Sequence, residues 1–411
     1  MVDEIRDSFM SMFKMVDPNG KYLPAKIAGF YYMIGEALVY HPIKNIMGDI
    51  DMRYSHAICI TSGRGKDPIK NVAYVTAEAL GMKYEEFTSL HEEQLIGKKW
   101  KDKDTKEIKE VKGYFGDDFI EKDDGLPFIN SDKYEIARNY WLRCLNVYGK
   151  NLISKRLTEM PEGLKYLGTA SLRYFIQTSE HIKTKNLTSG LFRRCPIIRI
   201  DLTRQEIKEI KDLRLRMKFN PNTEPFYNFI RNIRNIRNIR YINIGDSLID
   251  IINKECDMES NNVLLDSLDI ENQNIIVKWS YINAIIKLYR LNSLNSLNSL
   301  NSLNSLDVKI DEEDVRKAIE DYRIVYGGIK NFVLGNEVSN EIQKAIIGFI
   351  KISKEKLSSP EVFKGVSEIL GIPEATTRSH FYKLKKMGFI NTKQITKWID
   401  GVLNTTSEVW I

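Results

Sequence analysis

Ala57-Ile58-Cys59-Ile60-Thr61-Ser62-Gly63-Arg64-Gly65-Lys66-Asp67 is the stretch that decides how the chain is read. Its first four residues form a short apolar run, as a strand buried on both faces does. Gly63 and Gly65 follow, and Ile69 to Leu80 then reads as a helix stopping at Gly81. Strand, glycine-containing turn and helix in this order open an α/β fold. The turn also has phosphate-binding chemistry. Glycines let backbone N–H groups approach phosphate oxygens, a helix N-terminus favours the anion, and a lysine neutralises terminal phosphates. Ser62, Gly63, Arg64, Gly65, Lys66 and Asp67 are therefore the candidate nucleotide-binding residues. Two positions depart from GxxxxGK[ST]: Ile60 replaces the first glycine, and Asp67 replaces the hydroxyl that would hold magnesium. A carboxylate at 67 can ligate the metal but repels phosphate, so a glycine-rich structural turn stays open as the alternative.

The 411 residues suit two or three domains, and 43% hydrophobic with 28% charged residues exclude a disordered chain. The sequence lacks an apolar run long enough for a membrane helix and a leader pattern at Met1-Val2-Asp3-Glu4. Cys59, Cys144, Cys195 and Cys256 have no paired spacing, which argues against a disulfide scaffold and for a reducing cytoplasm. A net charge of +6 permits a nucleic-acid partner.

Farther along, Tyr134 to Arg156 reads as a long helix, Leu164 to Phe175 and Pro196 to Leu202 as core strands, and Lys98 to Lys112 as an exposed loop or hairpin. Asp117-Asp118 follows Lys66 with room for a helix, a strand and a loop between them. Paired acids at a strand end can hold magnesium and polarise an attacking water. Asp123-Asp124, in the same acidic run, is the rival pair, and a solvated acidic turn is the structural alternative.

The order of these segments resembles AAA+ ATPases of the MCM-like, mobile-element replication helicase kind, especially archaeal ones, over roughly residues 45–330. The resemblance rests on Asp51-Met52-Arg53 ahead of the apolar strand, on His91 to Lys98, and on Gly113 to Phe119 in the Walker B place. It implies a P-loop NTPase core with a helical lid, binding ATP and Mg2+. Asp67 and Asp117 would be metal ligands, and Asp118 would stand where a glutamate base is usual. In Leu167-Gly168-Thr169-Ala170-Ser171 it implies a γ-phosphate sensor, Thr169 before Ser171. In Gly190-Leu191-Phe192-Arg193-Arg194 it implies an arginine finger acting on a neighbouring subunit, Arg194 before Arg193. A planar guanidinium suits that role because it spreads charge over developing phosphate negativity. The catalytic set is thus Lys66, Asp117, Asp118, Thr169 and Arg194, in a homo-oligomeric ring for which a hexamer is the candidate size. Ile275–Arg290 and Glu312–Tyr326 would form the lid, with Arg316 as a weaker sensor candidate.

Residues 340–411 read as three helices and a pair of short strands. Pro360 opens the second helix, Gly371 ends it, and Pro373 to Met387 carries the third. This layout resembles a winged-helix domain. Thr376, Thr377, Arg378, His380, Lys383, Lys385 and Lys386 on the third helix are the DNA-binding candidates, with phosphate contacts from the lysines. The expected division is an N-terminal helical segment at 1–50, the ATPase core at 51–220, the lid at 221–339 and the winged helix at 340–411. The expected function is an ATP-dependent DNA-binding motor or replication initiator, a cytoplasmic ATPase and helicase. The alternative is a non-hydrolysing replication or transcription factor with a degenerate phosphate loop.

Two triplet repeats interrupt the sequence: Arg-Asn-Ile from Arg231 to Arg240, and Leu-Asn-Ser from Leu291 to Ser305. A three-residue period drifts around a 3.6-residue helix, so the leucines cannot hold one buried stripe, and that tract is expected to be a surface loop. The Arg-Asn-Ile tract could extend a helix or line a basic surface, and both tracts sit where a loop could lengthen without disturbing the fold.

Overall fold

The computed structural model describes residues 4–14, 17, 20–44, 49–53, 55–60, 66–81, 84–87, 97–112, 119–122, 134–135, 138–139, 151–157, 160–168, 172–176, 194–200, 202–216, 220–256, 263–295, 305–326, 341–353, 357–386, 390–399 and 402–410. These fall into two units, Met1–Asp257 with Leu268–Ile329, and Met258–Ser267 with Lys330–Ile411.

The first unit is organised by a parallel sheet of five strands: β1 (His56–Ile60), β2 (Tyr84–Phe87), β5 (Phe119–Lys122), β8 (Leu172–Ile176) and β9 (Ile197–Ile200). Every residue of β1 is buried, as its unbroken apolar run requires. The spatial order is β2-β5-β8-β1-β9, and every pairing is parallel. From β1 the chain crosses to the far edge at β2, returns stepwise through β5 and β8, then passes over β1 to β9. Helix α3 (Lys66–Ala79) follows β1, and Gly81 beyond it has φ +60°, the left-handed conformation that suits glycine at a helix end. The crossing from β1 runs toward β2, and the one into β9 runs the other way along the sheet. The strand order therefore reverses at β1.

Two antiparallel hairpins are inserted between sheet strands: β3 (Gly97–Lys101) with β4 (Ile108–Lys112), and β6 (Asn151–Leu157) with β7 (Met160–Gly168). They touch each other through β3 and β7. The expected helix over Tyr134 to Arg156 thus gives way to a strand at Asn151. The expected single strand over Leu164 to Phe175 is two strands in different sheets, separated after Gly168.

Helices α1 (Glu4–Ser11) and α2 (Leu23–Ala37) join the sheet to a helical group. That group comprises α4 (Arg204–Arg216), α5 (Glu224–Asn235), α6 (Asp246–Cys256), α7 (Val263–Asn295) and α8 (Glu312–Tyr326). Helix α2 touches β9 and α3 as well as α5 and α8, so the N-terminal segment shares a core with both regions. Tyr31 stacks on Trp279 with centroids 4.2 Å apart, and Phe9 lies 4.8 Å from Phe226. The Tyr31 hydroxyl is 2.7 Å from Asp321, whose carboxylate also takes both arms of the Arg6 guanidinium at 2.6 and 2.8 Å.

The Arg-Asn-Ile tract is not a loop. Its first copy finishes in α5, the second ends the helix, and the third enters β10 (Asn238–Tyr241). Ile233, Ile236 and Ile239 are all buried, while Arg231, Arg234, Arg237 and Arg240 are exposed. A period of three would drift off the buried side of one helix, but the change to extended backbone at Ile236 resets its phase. Strand β10 pairs in parallel with β11 (Ser305–Val308), Asn238 opposite Ser305, so the last residue of the Leu-Asn-Ser tract lies against the Arg-Asn-Ile tract. Helix α7 takes in the Leu-Asn-Ser tract as far as Asn295, and residues 296–304 lie outside the described residues.

The second unit holds α9 (Glu341–Ile352), β12 (Leu357–Ser358), α10 (Ser359–Leu370), α11 (Glu374–Lys386), β13 (Asn391–Ile399) and β14 (Val402–Trp410). Its core is Ile346, Val362, Phe363, Val366, Phe381, Leu384, Ile390 and Val409. Ser358 and Glu361 cap α10 reciprocally, and Gly371 ends it at φ +64°. Strands β13 and β14 pair antiparallel over nine residues each, longer than the short strands expected. Gly365 is approached so closely that a Cβ there would lie 2.2 Å from Phe349 Cζ.

Candidate functional site

All five parallel strands end on one edge of the sheet, at Phe87, Lys122, Ile176, Ile60 and Ile200. In open parallel sheets a ligand crevice forms outside the strand C-termini where the strand order reverses, which here is beside β1. Residues Thr61 to Gly65 join Ile60 to the first turn of α3 there. Ser62, Gly63, Arg64 and Gly65 lie outside the described residues, and so do the side chains of Lys66 and Asp67; the backbone of α3 begins at Lys66.

The strand bounds also sort the acids. Asp118 immediately precedes β5 and Asp123 immediately follows it. Asp117 and Asp118 thus come before the first residue of β5 in the sequence, and Asp123 and Asp124 after its last. The sequence expectation placed the strand before Asp117, and the described strand β5 runs from Phe119 to Lys122. Likewise, Thr169 and Ser171 precede β8, whereas Gln177 and Thr178 follow its last residue. All eight of these residues lie outside the described residues, so their placement rests on chain connection to β5 and β8.

Arg193 is outside the described residues. Arg194 precedes β9 by three positions, half-buried, next to buried Cys195. It comes before the N-terminal end of β9, six residues ahead of Ile200.

Asp51-Met52-Arg53 forms a lock before β1. Arg53 Nη2 donates to Asp51 at 2.7 Å, and Lys278 Nζ on α7 donates to the Arg53 carbonyl at 2.6 Å. Burial pushes the Asp51 carboxyl up, but the charge and hydrogen bonds of Arg53 outweigh it and leave the pKa below the ordinary value. Arg316 makes an exposed pair with Glu312 on one face of α8, at 2.5 Å.

No protein-family model and no curated protein matches this chain. Among the described residues no helix is long and apolar enough to cross a membrane.

In the second unit, three residues turn α10 into α11. Thr377, Phe381 and Leu384 recur at helical spacing and are completely buried. Thr377 is therefore a core position and leaves the DNA-facing set; its Oγ1 meets no hydrogen-bond partner among the described residues. Arg378, Lys383 and Lys385 are exposed, Thr376 and His380 are half-buried, and the Lys386 side chain is not described. The Arg378 guanidinium sits 5.4 Å over the ring of Phe363. Tyr382, which sequence reading passed over, is 53% exposed on the same side as Arg378 and Lys383. The i, i+4 spacing of Arg378 and Tyr382 was the signal that could have found it.

Proposed function

We propose that the chain is an ATP-dependent DNA-acting protein of the MCM-like AAA+ kind, with a P-loop core, a helical lid and a winged helix in its second unit. The observation that carries this reading is the reversal of strand order at β1, the strand that leads into Thr61-Ser62-Gly63-Arg64-Gly65-Lys66. The backbone N–H groups of Gly63 and Gly65 would approach the phosphates, and Lys66 would neutralise them. Bound magnesium would supply charge neutralisation on the transferred phosphoryl group. Asp123 and Asp124 would hold it and orient the attacking water, in place of Asp117 and Asp118, and Thr178 takes the sensor role first given to Thr169. Arg194, which comes before the N-terminal end of β9, would reach the nucleotide of a neighbouring copy in a ring. Helix α11 would enter a groove of duplex DNA.

DNA-stimulated ATP hydrolysis by the wild type, Lys66→Ala and Arg194→Ala tests the motor. Equal rates for the wild type and Lys66→Ala would refute it. DNA binding that persists after removal of residues 340–411 would refute the winged-helix assignment.

A second reading has its own observation. Asp67 stands at the magnesium-ligating hydroxyl position, and Asp124 is shorter than a glutamate base. In that reading the protein binds DNA without hydrolysis, and its wild-type rate equals that of Lys66→Ala.

A further inference from the structure

The exposed face of α11 is narrow and almost free of acid. Ala375, Arg378, Ser379, Tyr382 and Lys383 recur at i, i+3, i+4, i+7 and i+8 and are all exposed. Its one acid, Glu374, is at the N-terminal end. Ala375 and Ser379 are small, so a ligand surface can come close to the helix backbone between the cations. Tyr382 is the only large uncharged side chain on this face. It is also held in place. The buried ring of Phe363 has the Arg378 guanidinium above it at 5.4 Å and the Tyr382 ring 6.2 Å away, and Tyr382 lies edge-on to Phe381 at 5.8 Å. One core ring therefore fixes both a cation and an aromatic hydroxyl on the outer surface.

We infer that Tyr382 is a base-reading residue that sets sequence preference on duplex DNA, while Arg378 and Lys383 supply sequence-independent affinity. The inference rests on the DNA-binding reading of the second unit. A neutral side chain adds nothing to counterion release, which governs non-specific binding, but a ring and hydroxyl held against base edges discriminate among them. A fixed side chain discriminates better than a mobile one, because less freedom is lost on contact.

The test uses the full chain with a pool of randomised duplexes, followed by anisotropy titrations on selected and scrambled duplexes at several salt concentrations. The wild type is expected to prefer its selected sequence. Tyr382→Ala is expected to reduce that preference about tenfold, the value of one base contact, with the salt slope unchanged. Tyr382→Phe separates the hydroxyl from the ring: retained preference assigns it to ring contact, and lost preference to the hydroxyl, both within the inference. Arg378→Ala is expected to weaken all duplexes alike and lower the salt slope by about one. A wild type without preference, or a preference unchanged in Tyr382→Ala, overturns the inference while leaving DNA binding intact. Binding unaffected by Arg378→Ala combined with Lys383→Ala overturns the underlying reading instead.

Discussion

The two units are held together by different chemistry. In the first, distant segments are tied by buried or half-buried polar pairs: Arg6 to Asp321, the Tyr31 hydroxyl to Asp321, and Lys278 to the Arg53 carbonyl. In the second, the core is apolar, its helices are neighbours in sequence, and its caps are local. Buried pairs cost desolvation and reward only good geometry, so they specify an arrangement more than they stabilise it. The first unit thus depends on contacts between residues hundreds of positions apart, and the second on contacts within about seventy.

The largest expected effect is on stability. Asp321→Ala leaves Arg6 and the Tyr31 hydroxyl without their shared carboxylate and is expected to cost about 3–5 kcal/mol. By calorimetry it should lower the transition of the first unit and leave that of the second where it was. Next is chemistry. Lys66→Ala and Asp123→Asn are expected to lower ATP hydrolysis at least about a hundredfold with DNA affinity within about twofold, and Asp118→Asn to leave both near wild type. A hydrolysis defect in Asp118→Asn as large as in Asp123→Asn would reverse the assignment of strand ends. In the second unit, Gly365→Ala forces a methyl against Phe349 and is expected to cost about 1–3 kcal/mol in that unit's transition alone.

The smallest effect is a pH dependence. Burial pushes the Asp314 carboxyl up to about 6, with the neighbouring Asp311 charge adding to it. An acid with a raised folded pKa binds its proton better when folded, so its contribution is full below its unfolded pKa near 3.8 and is lost as pH rises through about 6. Asp311 runs the other way. Burial raises it, but hydrogen bonds with Lys287 and Asp314 leave it lowered, so its contribution is lost only as pH falls below the ordinary carboxylate range. Asp314→Asn should therefore flatten the stability of the first unit between pH 4 and 6 by about 1 kcal/mol after solvent screening. Denaturant titrations at each pH measure it, and an unchanged slope would count against the burial account.

This contrast explains how much could be read from the sequence. Strand β1, helix α3 with Gly81, and helices α9 to α11 were legible because period, caps and glycines are local signals. The bounds of β5 were not, because it is a strand only through its pairing with β2 and β8. The same holds for Asn151–Leu157, which is a strand because Met160–Gly168 folds back on it. Thr377 looked like a polar contact because its neighbours are polar; only the positions of Phe381 and Leu384 turn it inward.

The pairing of Asn238 with Ser305 has a consequence for how the coding sequence can change. Both triplet tracts invite slippage when their DNA is copied, nine base pairs per unit. The three Arg-Asn-Ile units are not interchangeable: one completes a helix, one stops it and one begins a strand. Gain or loss of a unit there would lengthen or shorten the segment between α5 and β10, although the period of three would still bring an asparagine opposite Ser305. Lineages carrying this sequence are expected to differ in the number of Leu-Asn-Ser units and to agree on three of Arg-Asn-Ile.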